Sequence, residues 1–196
     1  MGRVAGQAIA VLAGGLSRRM GEDKRWLRLD GEALIARAWR LAEATRARTR
    51  TTGEIVISGA LASLPAGCTA RVIRDGEPER GPLEAIRTVL LALAPAAERV
   101  LFIPVDMPLL TAVELERLLV QEGDVVHFSG YELPICVSTS LATRDVVGAL
   151  ARGSRRSVRA LIEALAAVTV AANEPCMVNV NTPEEWSALV RSQEAK

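Results

Sequence analysis

Five apolar residues, Ile9 to Ala13, run without interruption into the glycine pair Gly14-Gly15. A run so short and so uniformly apolar reads as a strand buried on both faces. Its end in two glycines predicts a turn whose backbone can take positive φ and bring N–H groups within hydrogen-bonding distance of an anion. The loop that follows carries Arg18, Arg19, Lys24 and Arg25 within eight residues, with Gly21 as a second flexible point. Strand, glycine turn and basic loop in that order predict a seat for a polyphosphate.

The spacing fits neither common phosphate motif. A P-loop needs G-x-x-x-x-G-K-[ST] and a dinucleotide fold needs G-x-G-x-x-G, whereas here GG is followed by LSRRM and then G-E-D-K. Global charge adds nothing to the local cluster: 24 basic minus 23 acidic residues leave +1, no field that would draw nucleic acid or an anionic membrane. Cys68, Cys136 and Cys176 form no CxxC pair and predict reduced thiols rather than a disulfide framework or a zinc site. No run approaches a membrane span and the start carries no convincing secretory signal, so a cytoplasmic protein is expected. At 196 residues the chain is expected to form one domain over 1–196.

Farther along, apolar positions at helical spacing in GEALIARAWRLAEATR predict a first helix, with Trp39 on its packed face. Glu54 to Ser58 and Thr69 to Ile73 read as strands, and Gly81-Pro82 opens a helix over Leu83 to Leu93. Arg99 to Pro104 is the next buried strand, and Asp106 follows it almost at once; Thr111 and Glu114 predict a capping box for the helix through Leu119. Asp124 to Phe128 and Leu133 to Ser138, joined by SGYE, predict an antiparallel excursion. His127, the only histidine, is read as structural or as lining an acceptor pocket. Ser140 to Leu150 and Ser154 to Ala167 read as helices and Val168 to Ala171 as a strand. Arg152, Arg155, Arg156 and Arg159 form a second basic cluster, read mainly as a solvated helix face. In NVNTPEE, Thr182, Pro183 and Glu185 predict a capped helix start; Asn179 and Asn181 put two amides on one side of an extended segment and require partners, which a cofactor or the loop near Asp106 could supply. The fold class expected is three-layer α/β, Rossmann-like, with a mostly parallel sheet, a small antiparallel insertion and the site at the strands' carboxyl edge.

Asp106 is the metal candidate. In open α/β sheets ligands gather beyond the carboxyl ends of strands, and Mg²⁺ needs only one or two protein carboxylates when phosphates supply the remaining oxygens. Lys24, helped by Arg19, would neutralise charge on the α-phosphate and the leaving group.

The long signature L-A-G-G-x-S-x-R-M-G-x-D-K, with RDGEPERGPLEAI, PVDMPLL and NVNTPEE in order, resembles the molybdenum cofactor guanylyltransferase family among the nucleotidyltransferases that activate sugars and cofactors. That resemblance spans essentially the whole chain. It implies transfer of GMP from GTP to molybdopterin with Mg²⁺, release of pyrophosphate, and a monomer with molybdenum-inserting and molybdoenzyme-maturation proteins as prospective partners. By matching position it implies that Leu12, Ala13, Gly14 and Gly15 line the nucleotide and that Lys24 meets its phosphates. Ser58 and Asp75 would belong to the GTP site, and Asp106 would bind GTP and Mg²⁺. Pro134, Arg156, Asn179 and Asn181 are assigned to the acceptor side. One departure stands out: the family's asparagine is expected at or beside Ser58-Gly59, and a hydroxyl cannot reproduce an amide's paired edge. Cytidylyl transfer to the same acceptor, another cofactor or sugar-phosphate nucleotidyltransferase, and a nucleotide-binding protein without catalysis are the competing readings.

Overall fold

Parallel strands need crossovers, and the apolar runs separated by helical segments supply them. The computed structural model describes residues 6–14, 20–74, 76, 81–94 and 96–194. Its main sheet has seven strands: β1 (Gln7–Leu12), β4 (Ile55–Ser58), β5 (Arg71–Ile73), β6 (Arg99–Pro104), β7 (Val125–Phe128), β8 (Ile135–Ser138) and β9 (Val168–Val170). A separate hairpin pairs β2 (Arg28–Leu29) with β3 (Glu32–Ala33) around the turn Asp30-Gly31. The order across the main sheet is β5-β4-β1-β6-β8-β7-β9. β1 lies parallel to β4 and β6, and β7 parallel to β9, while β8 runs against both its neighbours.

Among the described residues six α-helices cover the two faces: α1 (Leu34–Thr49), α2 (Pro82–Leu93), α3 (Ala112–Leu119), α4 (Leu141–Arg152), α5 (Val158–Ala164) and α6 (Pro183–Glu194). Alternation along β1 and β6 sorts the core into two halves. Ile9, Val11, Leu101 and Ile103 pack with α1, α3 and α6, whereas Ala8, Ala10, Val100 and Phe102 pack with α2, α4 and α5. Both central strands are therefore apolar on every residue of their middles, as a sheet covered on two sides demands. Each fully buried Ile, Leu or Phe contributes about 1.5–3 kcal/mol relative to exposure. Trp39 is half-buried against the α1 side of this core, as its place in the pattern predicts.

The expected three-layer architecture stands, and so does the antiparallel excursion: β8 pairs antiparallel with β7 and lies between it and β6. Three details differ. The predicted helix Ser154 to Ala167 is shorter, because Ser157 caps it by accepting from Ala160 N, and the chain before it is irregular. The Thr111–Glu114 capping box is half made: Thr111 Oγ1 accepts from Glu114 N at 3.3 Å, but the Glu114 carboxylate accepts from Arg117 and Asn173. The strands β5 and β9 also start or stop within two residues of the predicted limits. The second capping box forms in full, with Glu185 N donating to Thr182 Oγ1 at 3.3 Å and Thr182 N to Glu185 Oε2 at 3.1 Å. Cys68, Cys136 and Cys176 are free thiols, and burial pushes Cys136 up to about 11, which suits a core residue rather than a reactive one. Among the described residues no helix is long and apolar enough to cross a membrane.

Gly53 precedes β4 where the chain passes under β1. A Cβ placed there would lie 1.8 Å from the Gln7 carbonyl oxygen, a backbone atom that cannot swing away. Gly53→Ala is expected to destabilise the fold by about 1–3 kcal/mol through overpacking, read as a lower urea midpoint with an unchanged slope.

Candidate functional site

Three strands end together. Register pairs Leu12 with Ser58 on β4 and with Pro104 on β6, so the chain leaving β1, β4 and β6 emerges at one edge. Connections run from β1 outward to β4 and β5 and then return to β6 on the other side of β1. That reversal opens a crevice between the ends of β1 and β6, the place where open α/β sheets collect ligands.

The turn after β1 is stitched from both sides. Ala13 N donates to Ser58 O at 2.8 Å, Gly59 N donates to Ile73 O at 3.0 Å, and Val105 N donates to Leu12 O at 3.3 Å. Gly59 sits at φ +134°, and a Cβ on it would lie 2.9 Å from Ala13 C and from Gly14 N. Only glycine lets β4's exit pass this close beneath the Ala13-Gly14 backbone. Local sequence signals did not single Gly59 out, since an isolated glycine after a strand reads as any turn.

After Asp23, a 3-10 turn at Lys24–Trp26 splits the basic cluster between two tasks. Asp23 caps the turn by accepting from Arg25 N at 3.1 Å. Arg25 then folds back, Nε to Asp23 Oδ1 at 2.8 Å, Nη2 to Asp23 Oδ2 at 2.6 Å, and Nη1 to Ala60 O at 2.7 Å and Ala13 O at 3.3 Å. The guanidinium holds the Asp23 carboxyl below the ordinary carboxylate range. The sequence groups Arg25 with the phosphate cations, but its donors brace the loop onto the ends of β1 and β4.

Lys24 turns the other way, and its ammonium forms an ion pair with the Asp106 carboxylate, each side chain 15 % exposed. The same ammonium donates to Asn181 Oδ1 at 3.4 Å. Asp106 follows β6, and its carbonyl accepts from Val180 N at 2.9 Å, which lays the NVN segment along the Asp106 loop. Lys24, Asp106 and Asn181, from three distant stretches, thus meet at the carboxyl edge. Asn181 stands with the pair, while Asn179 is exposed.

The remaining candidates are dispersed. Leu12 and Ala13 are buried and Gly14 is exposed at the turn. Ser58 is completely covered, so its side chain lies beneath the surface of the crevice rather than on it. Pro134 is buried just before β8; because β8 runs against β6, with Phe102 opposite Ile135, Pro134 lies at the same carboxyl edge. Arg156 is exposed and donates from Nε to Gly153 O at 2.8 Å, Arg155 pairs with Glu163, and Arg159 pairs with Glu132 at 3.1 Å. Most of that second basic cluster is thus satisfied on its own helix or the adjoining hairpin. His127 is half-buried with Nδ1 2.8 Å from the Tyr131 carbonyl, closing the loop between β7 and β8 as a structural residue. Gly15, Arg18, Arg19 and Asp75 lie outside the described residues.

With this geometry in place, the family model for the MobA-like NTP transferase domain matches residues 9–170. The chain belongs to that family. It is 39 % identical over 188 residues to a molybdenum cofactor guanylyltransferase from Xanthomonas euvesicatoria pv. vesicatoria, covering 92 % of each chain. It is 30 % identical over 184 residues to a molybdenum cofactor guanylyltransferase from Rhodobacter capsulatus, covering 93 % of each. The crystal structure of molybdopterin-guanine dinucleotide biosynthesis protein A from Archaeoglobus fulgidus superposes with a TM-score of 0.75 at 20 % identity, over 96 % of this chain and all of that one. That last likeness speaks to the fold. The match from β1 to β9 takes in the glycine turn, Lys24 and Asp106 and places this chain among the nucleotidyltransferases.

Two glycine substitutions separate backbone strain from the contact beneath the turn. Gly59→Ala is expected to weaken nucleotide binding at least about tenfold by displacing Ala13-Gly14. Gly67→Ala, at φ +76° with open space around it, carries strain of about 1–3 kcal/mol and leaves affinity unchanged. Nucleotide titration monitored by calorimetry, beside thermal melts, checks both.

Proposed function

We propose that this chain transfers GMP from GTP to the phosphate of molybdopterin, releasing pyrophosphate. The observation that carries the reading is the meeting of Lys24 and Asp106 beside the glycine turn, at the crevice between β1 and β6. The guanylyl group and the acceptor come from the names of the relatives. The chemistry asks little covalent work of the protein. An acceptor phosphate oxygen attacks the α-phosphorus, the bond from that phosphorus to the bridging oxygen breaks, and pyrophosphate leaves with the bond's electrons. The chain's task is to hold the two phosphates in line and to neutralise the charge that builds on the α-phosphate and leaving oxygens.

Lys24 is suited to that task, and it is the residue that must change partner. It pairs with Asp106, and a triphosphate in the crevice would draw the ammonium from carboxylate to phosphate oxygens. Asn181 Oδ1 stays within reach and steadies the lysine's direction. Asp106 is then left with a carboxylate that needs a cation.

A hard divalent cation such as Mg²⁺ fits this setting, because the Asp106 and Asn181 oxygens already converge on one positive charge, the Lys24 ammonium. Asp106 would hold it, and when bound it supplies charge neutralisation across phosphate oxygens. Among the described residues no group of three or more His, Cys, Asp or Glu side chains is gathered for a metal. A cation shared between one carboxylate and substrate phosphates requires no such group.

The choice of base rests on the relatives, and Ser58 does not add to it: the side chain is fully covered, so it offers the base no edge. The test is pyrophosphate release with molybdopterin and Mg²⁺, run in parallel with GTP, CTP, ATP and UTP. Turnover with GTP is expected. Preference for CTP would move the chain to cytidylyl transfer with the same machinery, and silence with all four would overturn the proposal.

Lys24→Ala and Asp106→Ala are each expected to lower turnover about 10²- to 10³-fold, as loss of one transition-state contact does, with melting profiles that keep a cooperative fold. Asp106→Asn should separate the two roles. Removing the carboxylate takes away one anion that competes with phosphate for Lys24, so GTP binding in excess EDTA is expected to tighten relative to the parent, while Mg²⁺-dependent turnover falls. Weaker metal-free binding in this variant would show that Lys24 does not exchange between the two.

A further inference from the structure

Between β9 and α6 the chain crosses the carboxyl edge with little regular structure, a 3-10 turn at Glu174–Cys176 and then an extended run to Asn181. Such a strap has no ladder to hold its register, yet it delivers the Asn181 amide to Lys24. Its far end is fixed by Val180 N on Asp106 O at 2.9 Å, by Asn181 N on Glu185 Oε2 at 2.6 Å, and by Val180, which is fully buried. Its near end is fixed by α3. Asn173 Nδ2 donates to Glu114 Oε1 at 3.2 Å, and Arg117, which donates from Nη1 to Glu114 Oε2 at 2.5 Å, donates from Nη2 to Ala171 O at 2.7 Å.

Glu114 is the unusual member. Its side chain is only 8 % exposed, in the first turn of a helix whose capping sequence leads one to expect its carboxylate on the backbone of Thr111. Burying a carboxylate is costly unless charge and hydrogen bonds compensate, and here both compensating partners, Arg117 and Asn173, tie α3 to the strap. α3 is also the helix into which the Asp106 loop leads. One rigid unit, the loop plus α3, therefore grips the strap at both ends: Asp106 O at residue 180 and Glu114 at residue 173.

We propose that Glu114 is a positioning residue for the transfer centre, acting through Asn173 to set the strap so that Asn181 reaches Lys24. It touches none of the reacting groups itself. The proposal rests on the reading of Lys24 and Asp106 as that centre.

A double-mutant cycle in kcat tests it, since residues that act through one another are non-additive whereas independent ones multiply. Asn181→Ala is expected to lower kcat about tenfold with little change in the KM for GTP. Glu114→Ala should lower kcat by a similar factor, and the double variant should be no slower than Asn181→Ala alone. Glu114→Gln, which keeps an acceptor for Asn173, should recover most of the activity. Asn173→Ala removes the same hydrogen bond from an exposed residue, so it gives the answer even if Glu114→Ala fails to fold. Factors that multiply to about a hundredfold, or a Glu114→Ala or Asn173→Ala protein that melts earlier but turns over normally, would overturn the proposal. Normal kcat in Asn181→Ala would overturn it too, by leaving nothing to position. Normal kcat in Lys24→Ala would instead sink the underlying assignment of the centre, which keeps the two failures apart.

Discussion

Lys24 and Asp106 are 82 residues apart in sequence, and their side chains form one ion pair at the sheet edge, each 15 % exposed. A pair at that depth is worth more than a surface contact, because water screens it less, and neither member can be left charged and alone without cost. Everything around it serves to keep two backbone loops in place. Asp106 is carried by β6, whose alignment with β1 is locked by six register pairs, five of them between apolar residues. Lys24 is carried by the 3-10 turn Lys24–Trp26, and that turn is held by Arg25. The guanidinium spans Asp23, the Ala13 carbonyl and the Ala60 carbonyl, so the next residue in the chain secures the position of the lysine.

The division of labour between adjacent lysine and arginine follows from their chemistry. A planar guanidinium with several fixed donors can satisfy a carboxylate and two carbonyls at once, which makes it a brace; a flexible ammonium carries a compact charge that can change partner. A 3-10 turn rotates successive residues by about 120°, so Lys24 and Arg25 are sent to different sides from consecutive positions. Swapping the two would place the rigid donor at the centre and the flexible one in the brace.

The sequence made the sheet's central strands readable because burial on both faces leaves an uninterrupted apolar run, and it made Asp106 readable because a carboxylate directly after such a run has few structural uses. The glycine turn, Lys24 and the capped start of α6 were visible for similar local reasons. What escaped was non-local. β8's insertion between β6 and β7 depends on which edges are free once β1 has taken its neighbours, and no run of residues encodes that. The brace role of Arg25 and the departure of Glu114 from its capping box are each set by a partner far along the chain: Ala60 and Asn173. A capping-box pattern is satisfied by local bonds alone, so Thr111 and Glu114 predicted a local answer, and tertiary contact redirected half of it.

The ion pair also bears on how the crevice treats an incoming triphosphate. An unneutralised carboxylate there would repel phosphate, so Asp106 in isolation would work against the substrate that it has to help hold. Lys24 offsets that charge in the ion pair. On the proposed function, release of Lys24 from Asp106 and arrival of a cation at Asp106 would be two halves of one exchange, and linkage would require that whatever favours one favours the other. A nucleotide that drew the lysine away would raise the affinity of the carboxylate for the cation, and a cation on the carboxylate would release the lysine toward the nucleotide. On that reading the Lys24–Asp106 pairing would make the binding of nucleotide and cation cooperative.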